Sequence, residues 1–466
     1  MCCAHAAFPK GNLYLKLRDE LSDLYRDEQF TALYPIRGQT AEPPWRLALI
    51  TVLQFLEDLS DRQAADAVRS RIDWKYLLSL PLDDSGFDYS VLSEFRSRLI
   101  ASGQEEQLLN LLLQQCQSKG LLKNRGKQRT DSMHVLAAVR AMGRCDCVGE
   151  TLRHALNVLA TLRQVWIRQF YLGGDQVVAR ASEDLPKHQQ MIASPYDTEA
   201  RNRTKRATNW TGYCVDLTET FDKELPNLIT HVETTPATTM DADLIKPIHE
   251  KLNQKNLLPS EHLVDTGYVS VKHLVNIDEQ YQVEVIGPVL PDTSWQALAQ
   301  NGFDLTHFTI DWDNCQVRCP QGCLSQGWSE SFNPHGQAVI HVRFRRNDCL
   351  NCSSRCECTQ FQSAHGRCLN FLPQAQYLAL QARRQYQSTD RFKQRYAQRA
   401  GIEGSLSQGV RAFGLRHSRY IGLAKTHLQH IGTAVAMNFV RLWHWWCGLP
   451  KEHTRTSRFK ALAPAS

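Results

Sequence analysis

A chain of 466 residues with 42% apolar content is long enough for two or three domains with real cores. It has no run of about 18 apolar residues, which excludes a membrane-spanning helix. The start MCCAHAAFPKG lacks the basic and apolar regions of a secretory signal, so a cytoplasmic protein without a membrane partner is expected. The formal charge of +6 is unevenly spread. Between 381 and 466 fifteen Lys or Arg face three acids, whereas residues 1–125 carry fifteen bases and seventeen acids. A basic C-terminal block calls for an anionic partner, of which nucleic acid is the commonest, against the alternative of a solvated helical face.

Residues 1–125 read as a helical N-terminal domain. WRLALITVLQFLEDL (45–59) has apolar positions at helical spacing, and Ser60 and Ser90 are the expected N-caps of two Arg-bearing helices. Such a bundle suits a DNA-binding module and any other small helical domain equally. From 126 the pattern changes to KQRTDSMHVLAAV, a strand, then a helical region over about 149–172. GYCVDLTETFD and NLITHVETTPATT follow as Thr- and Val-rich strands, 241–254 as an amphipathic helix started by Asp241, and EHLVD and VEVIGPV as short strands. Strands alternating with helices imply an α/β class with a mixed sheet. Residues 296–372 are polar and Cys-rich, 373–450 return to helical periodicity, and 451–466 form a basic tail.

Three acids stand out. Asp131 lies inside an apolar strand, where a carboxylate must face a site or bear a heavy desolvation cost. Asp265 ends a strand just before Thr266-Gly267, a place where ligands gather in mixed sheets and also an ordinary turn position. Glu403 shares one helical stripe with Tyr396 and Arg399, whose bland reading is an i,i+4 surface pair. Taken together, two strand aspartates and a helix glutamate in a basic chain are what two-metal phosphoryl chemistry requires.

The chain resembles the DDE transposases of bacterial insertion sequences on LSDRQAADAVRSR, RTDSMHV, SPYDTEAR, HVETTPATT, HLVDTGYVS and 396–426. The resemblance implies a ribonuclease H-like catalytic core, in two parts over 126–295 (with a helical insertion about 149–205) and 373–450. It implies Asp131, Asp265 and Glu403 as catalytic ligands of two Mg²⁺ or Mn²⁺ ions. Double-stranded DNA, as terminal inverted repeats and as target, would be the partner, with a homodimer bringing two ends together. Tyr396, Arg399 and Glu403 match a Tyr-x2-Arg-x3-Glu-x6-Lys signature whose last position is Val410 here, leaving Arg411 as the nearest base. Arg411, Arg416, Arg419 and Lys425 join Tyr396 and Arg399 as expected DNA contacts, while Trp210 is either a base-stacking or a core residue. The implied activity is metal-dependent end cleavage followed by strand transfer. A nuclease without joining and a non-catalytic zinc-containing DNA-binding protein are the alternatives.

Eight of the fifteen cysteines fall between 315 and 368. Cys-x2-Cys spacing beside further cysteines in a reducing compartment favours thiolate ligation of Zn²⁺ over free thiols. Cys319, Cys349, Cys352 and Cys356 are the expected four, stapling an insertion too polar to fold on its own core.

Overall fold

The computed structural model describes residues 2–34, 42–139, 159–173, 176–185, 191–205, 207–271, 280–333, 336–360 and 366–451. The chain divides into two compact units, Met1–Val264 with Gln398–Ser466, and Asp265–Ala397.

In the first unit, the N-terminal segment is helical, as its periodicity implies. Helix α1 (Pro44–Glu57) buries almost every residue from Leu47 to Phe55. Ser60 caps α2 (Asp61–Ser70), its hydroxyl accepting from Gln63 N while the Gln63 side chain accepts from Ser60 N. Ser90 is not a cap. It is the first residue of α3 (Ser90–Ala101), and the Asp88 carboxylate accepts from its N–H at 2.9 Å, a charged acceptor favoured at the positive end of the helix. Helix α4 (Gln107–Ser118) buries Leu108, Leu109, Leu112 and Leu113, the i, i+1, i+4, i+5 face that its leucines predict.

Strand β1 (Lys127–Leu136) then enters a mixed sheet with β2 (Arg201–Lys205), β3 (Thr208–Thr220), β4 (Ile229–Pro236) and β5 (Glu261–Leu263). Central β3 is buried from Trp210 to its end. It pairs antiparallel with β1 along one edge, and with β2 and then β4 along the other. β5 runs parallel to β1, with Arg129 opposite Leu263. The crossover to β5 includes α5 (Ile245–Gln254), which buries Ile245, Ile248, His249 and Leu252 at helical spacing. This helix begins four residues later than the expected Asp241, because 241–243 forms a separate 3-10 turn. Of the helical region expected over 149–172, Leu159–Gln169 is a helix; Phe170–Gly173 instead pairs with Gln176–Ala179 as a hairpin, and 149–158 lie outside the described residues.

Helices α6 (Gly401–Phe413) and α7 (Leu423–Trp446) complete the unit. α7 is its central helix. A Cβ at Gly432 would lie 2.2 Å from the Phe55 ring, so glycine is what lets α1 of the N-terminal segment lie against α7. The antiparallel strands β1, β3 and β4, a helical crossover, β5 parallel to β1 and closing helices make the core ribonuclease H-like.

In the second unit, Gln316–Arg318 pairs with Thr309–Asp311, and Gly327–Phe332, Ala338–Arg343 and Cys368–Phe371 form a three-stranded antiparallel sheet. Phe308, Val317, Ile340, Val342, Phe344, Leu369 and Phe371 are buried together. The Cys-rich segment therefore has an apolar core of its own, contrary to the expectation from its composition. Ile340 with Val342, and Leu369 with Phe371, sit at alternating strand positions and so face inward together, whereas Phe332 on the neighbouring strand is exposed. Helices Gln374–Gln387 and Asp390–Ala397 end the unit.

Candidate active site

Asp131 and Arg129 are two residues apart on β1 and so share a face of the sheet. Opposite Arg129 on β3 is Glu219, whose side chain is wholly buried. Its Oε1 accepts from Arg129 Nε at 2.7 Å and from Nη2 at 2.6 Å. Its Oε2 accepts from Arg441 Nη1 of α7 at 2.9 Å and from Ser405 Oγ of α6 at 2.5 Å. Burial raises the Glu219 pKa, yet the Arg441 and Arg129 charges and the Ser405 bond hold it below the usual carboxylate range. One carboxylate thus ties two strands to the two closing helices.

The chain enters α6 through a 3-10 turn, Gln398–Ala400. There Gln398 C=O accepts from Arg129 Nη1 at 2.5 Å, and a Cβ on Gly401 would lie 2.1 Å from that nitrogen. The expected single helical stripe of Tyr396, Arg399 and Glu403 is therefore interrupted. Arg129 takes up a carbonyl and the space in which an ordinary helix would continue. Tyr396 lies in the second unit, where it stacks on Phe392 with ring centroids 5.5 Å apart.

Arg399 and Glu403 keep their i,i+4 relation across the turn, and Asp131 joins them. Arg399 Nη2 donates to Asp131 Oδ2 at 2.7 Å and Nη1 to Glu403 Oε1 at 3.2 Å. The side chains of Arg399 and Asp131 are 12% and 14% exposed, whereas Glu403 is 62% exposed. Two acids 272 positions apart in sequence are brought to one guanidinium. Asp265 begins the second unit, directly after Val264, and its Oδ1 accepts from Thr266 N at 2.8 Å. The β1–β5 ladder ends at Arg129 and Leu263, and Asp131 and Asp265 each lie two residues further along their own segments.

The expected DNA contacts divide into two kinds. Arg411 on the last turn of α6 and Lys425 on the first turn of α7 are exposed. Arg416 and Arg419 lie in the loop between these helices, which docks on the end of β1 through Leu136 N to Arg416 O and Ser418 N to Leu136 O. Arg419 is engaged within the chain, paired with Asp58, donating to Leu59 C=O at 3.1 Å and lying over the Phe55 ring. Trp210 is buried with Cys214 and Ala237, 5.3 Å from the His134 ring, and is a core residue.

In the second unit, Cys319, Cys323, Cys349, Cys352 and Cys358 line one cavity of about 30 Å³, room for a single small group. Cys319 N donates to Cys323 C=O at 2.9 Å, closing a tight turn, and Arg367 N donates to Cys349 Sγ at 3.3 Å. Cys356 does not line this cavity and is exposed on the short helix Arg355–Cys358. Burial raises the thiols of Cys323 and Cys349 and pushes Cys358 up to about 11. Among the described residues, no three His, Cys, Asp or Glu side chains converge as a metal-holding group.

A family model described as "Transposase DDE domain" matches residues 318–443, and one described as "Transposase domain (DUF772)" matches residues 3–98. The two matches support a DDE transposase of an insertion sequence. The DDE-domain match spans Glu403 and Arg399 but begins after Asp131 and Asp265. No curated protein matches the chain. Glu219 and Arg129 lie outside the expected site residues, although Glu219 in GYCVDLTETFD is, like Asp131, an acid inside an apolar strand.

Replacing Glu219 with Gln leaves two buried guanidinium groups without their shared counter-charge, a loss of about 3–5 kcal/mol. Because the Glu219 pKa lies below its ordinary 4.5, its contribution is complete above that value and is lost as the pH falls through the folded pKa. Chemical denaturation of E219Q at pH 7 should show that loss, with the gap to the parent protein narrowing on acidification. Equal stability at pH 7 would contradict it.

Proposed function

We propose that this transposase binds the terminal inverted repeats of its element, cleaves the ends by two-metal hydrolysis and joins the freed 3′-OH to target DNA. The observation carrying this reading is the shared guanidinium that brings Asp131 to Glu403. Their hard carboxylate oxygens suit Mg²⁺ or Mn²⁺, and a cation already lies between them, so the pair fits such an ion. Asp265 would complete the ligand set. Bound there, two divalent ions would supply charge stabilisation for the attacking and leaving oxygens of an in-line displacement.

In the first step, water attacks the phosphorus at the element end, the bond to the 3′ oxygen breaks, and that oxygen leaves with a proton as the 3′-OH. In the second, this 3′-OH attacks a target phosphodiester and displaces the target's own 3′ oxygen. In this second step one phosphodiester bond is made for the one broken, so the joining needs no outside energy source. Arg411 and Lys425, being exposed, would grip backbone phosphates independently of sequence, with salt-sensitive affinity. Arg399 would reach a phosphate near the scissile bond, and Tyr396 would help orient it. Arg416 and Arg419 would contribute through the loop they hold against β1. Residues 1–125, packed within the first unit, would contribute further DNA contact, 296–372 the Cys-rich insertion and 373–450 the helices carrying Glu403. Two copies would pair the two ends, acting in the cytoplasm.

Single changes D131N, D265N and E403Q should each abolish cleavage of a duplex carrying the element's own end while leaving its gel-shift affinity within a factor of about three, a margin of under 1 kcal/mol. Full cleavage in any one variant would remove that residue from the triad. If a pre-cut end is not joined to target DNA by the parent protein, the activity is hydrolysis alone.

A structural Zn²⁺ would be held by Cys319, Cys349 and Cys352 with either Cys356 or the cavity-lining Cys323, and these thiols would have to draw together on binding, since among the described residues no three of them converge beforehand. Purified protein should hold one zinc per chain, and the double change C349S/C352S should release it and lower the thermal midpoint. Metal-free protein with an unchanged midpoint in the double variant would rule the zinc out.

A further inference from the structure

We propose that Arg399 is a built-in counter-ion that guards the catalytic acids and is released by DNA phosphate, so that metal loading is coupled to DNA binding. The proposal rests on Asp131 and Glu403 being metal ligands. Their oxygens are the ones Arg399 occupies: Nη2 is 2.7 Å from Asp131 Oδ2 and Nη1 is 3.2 Å from Glu403 Oε1. A divalent ion entering there meets a positive charge at contact distance, in a place where the guanidinium is only 12% exposed and water screens it little. The guanidinium takes one oxygen of each carboxylate, Asp131 Oδ2 and Glu403 Oε1, and an ion bound by the pair would compete with it for them.

A purely architectural role for Arg399 is disfavoured by what else holds the site. Glu219 already ties β1 and β3 to α6 and α7 through Arg129, Ser405 and Arg441. The Glu403 arm of the Arg399 bridge is the longer one and ends on a carboxylate that is 62% exposed. The bridge is thus closed at the sheltered Asp131 and open toward solvent at Glu403, the side from which a ligand would arrive. A displaced guanidinium needs another anion, and its planar fork fits two phosphate oxygens. A DNA backbone phosphate would therefore draw Arg399 off the acids and vacate the oxygens an ion needs. By linkage, metal would strengthen DNA binding by the same factor by which DNA strengthens metal binding. The device would keep a nuclease centre unloaded until its substrate is in place.

The test is Mn²⁺ affinity of the full chain without DNA, measured by calorimetry for the parent protein, R399Q, R399K, D131N and the double variant D131N/R399Q. R399Q should bind Mn²⁺ about tenfold more tightly than the parent, within the usual range of coupling factors. R399K, which keeps the charge, should stay near the parent value. D131N should abolish the gain. If R399Q binds no more tightly than the parent while D131N still weakens binding, the guard is wrong and the metal-ligand reading stands. If Mn²⁺ binding by R399Q is indifferent to D131N, the ligand reading fails and the guard with it. If R399K gains as much as R399Q, charge is not what excludes the ion, and the guard is again overturned.

Discussion

The buried carboxylate of Glu219 is the constraint on which the rest of the first unit depends. A charge that deep in the sheet is tolerated only because two guanidinium groups and a hydroxyl satisfy it, and each comes from a different element. Arg129 brings β1, Ser405 brings α6 and Arg441 brings α7. The position of the face that carries Asp131 relative to the helix that carries Glu403 follows from that one four-way contact. Gly401 is part of the same arrangement, because any side chain there would displace the Arg129 guanidinium.

Charge in this region is organised in two layers with different consequences. The inner layer, Glu219 with Arg129 and Arg441, is sealed and has no exchangeable partner. The outer layer, Arg399 with Asp131 and Glu403, opens to solvent at one end. A sealed network gives rigidity, and an open one gives a place where an ion or a phosphate can compete. Having the first directly beneath the second lets the outer charges rearrange without the fold giving way.

Much of this was legible in the sequence, and the reasons for the failures are physical. Strand β1 and its acid were readable because a carboxylate inside an apolar alternation has few explanations. The Ser60 cap was readable because capping is local. Glu219 was missed because its partners lie 90 and 222 positions away, and no local pattern reports a buried pair of that span. The break at 398–400 was hidden for a related reason. Periodicity through Tyr396, Arg399 and Glu403 is helical, and the 3-10 turn lies where the distant Arg129 donates to Gln398 C=O. The Cys-rich segment was judged by composition, which averages over the strand alternation that gives it a core. Spacing favours Cys356 as the fourth thiol, and it cannot show that the tight turn at 319–323 places Cys319 and Cys323 on one cavity wall while Cys356 is exposed.

The central claim is that Asp131 and Glu403 exchange a guanidinium for metal when DNA is bound. Anomalous X-ray diffraction from crystals of the chain with its element end and Mn²⁺ tests this directly. A manganese peak ligated by the Asp131 and Glu403 carboxylates is expected, with Arg399 turned onto a DNA phosphate. Arg399 still bridging the two acids, with no manganese on either, would contradict it.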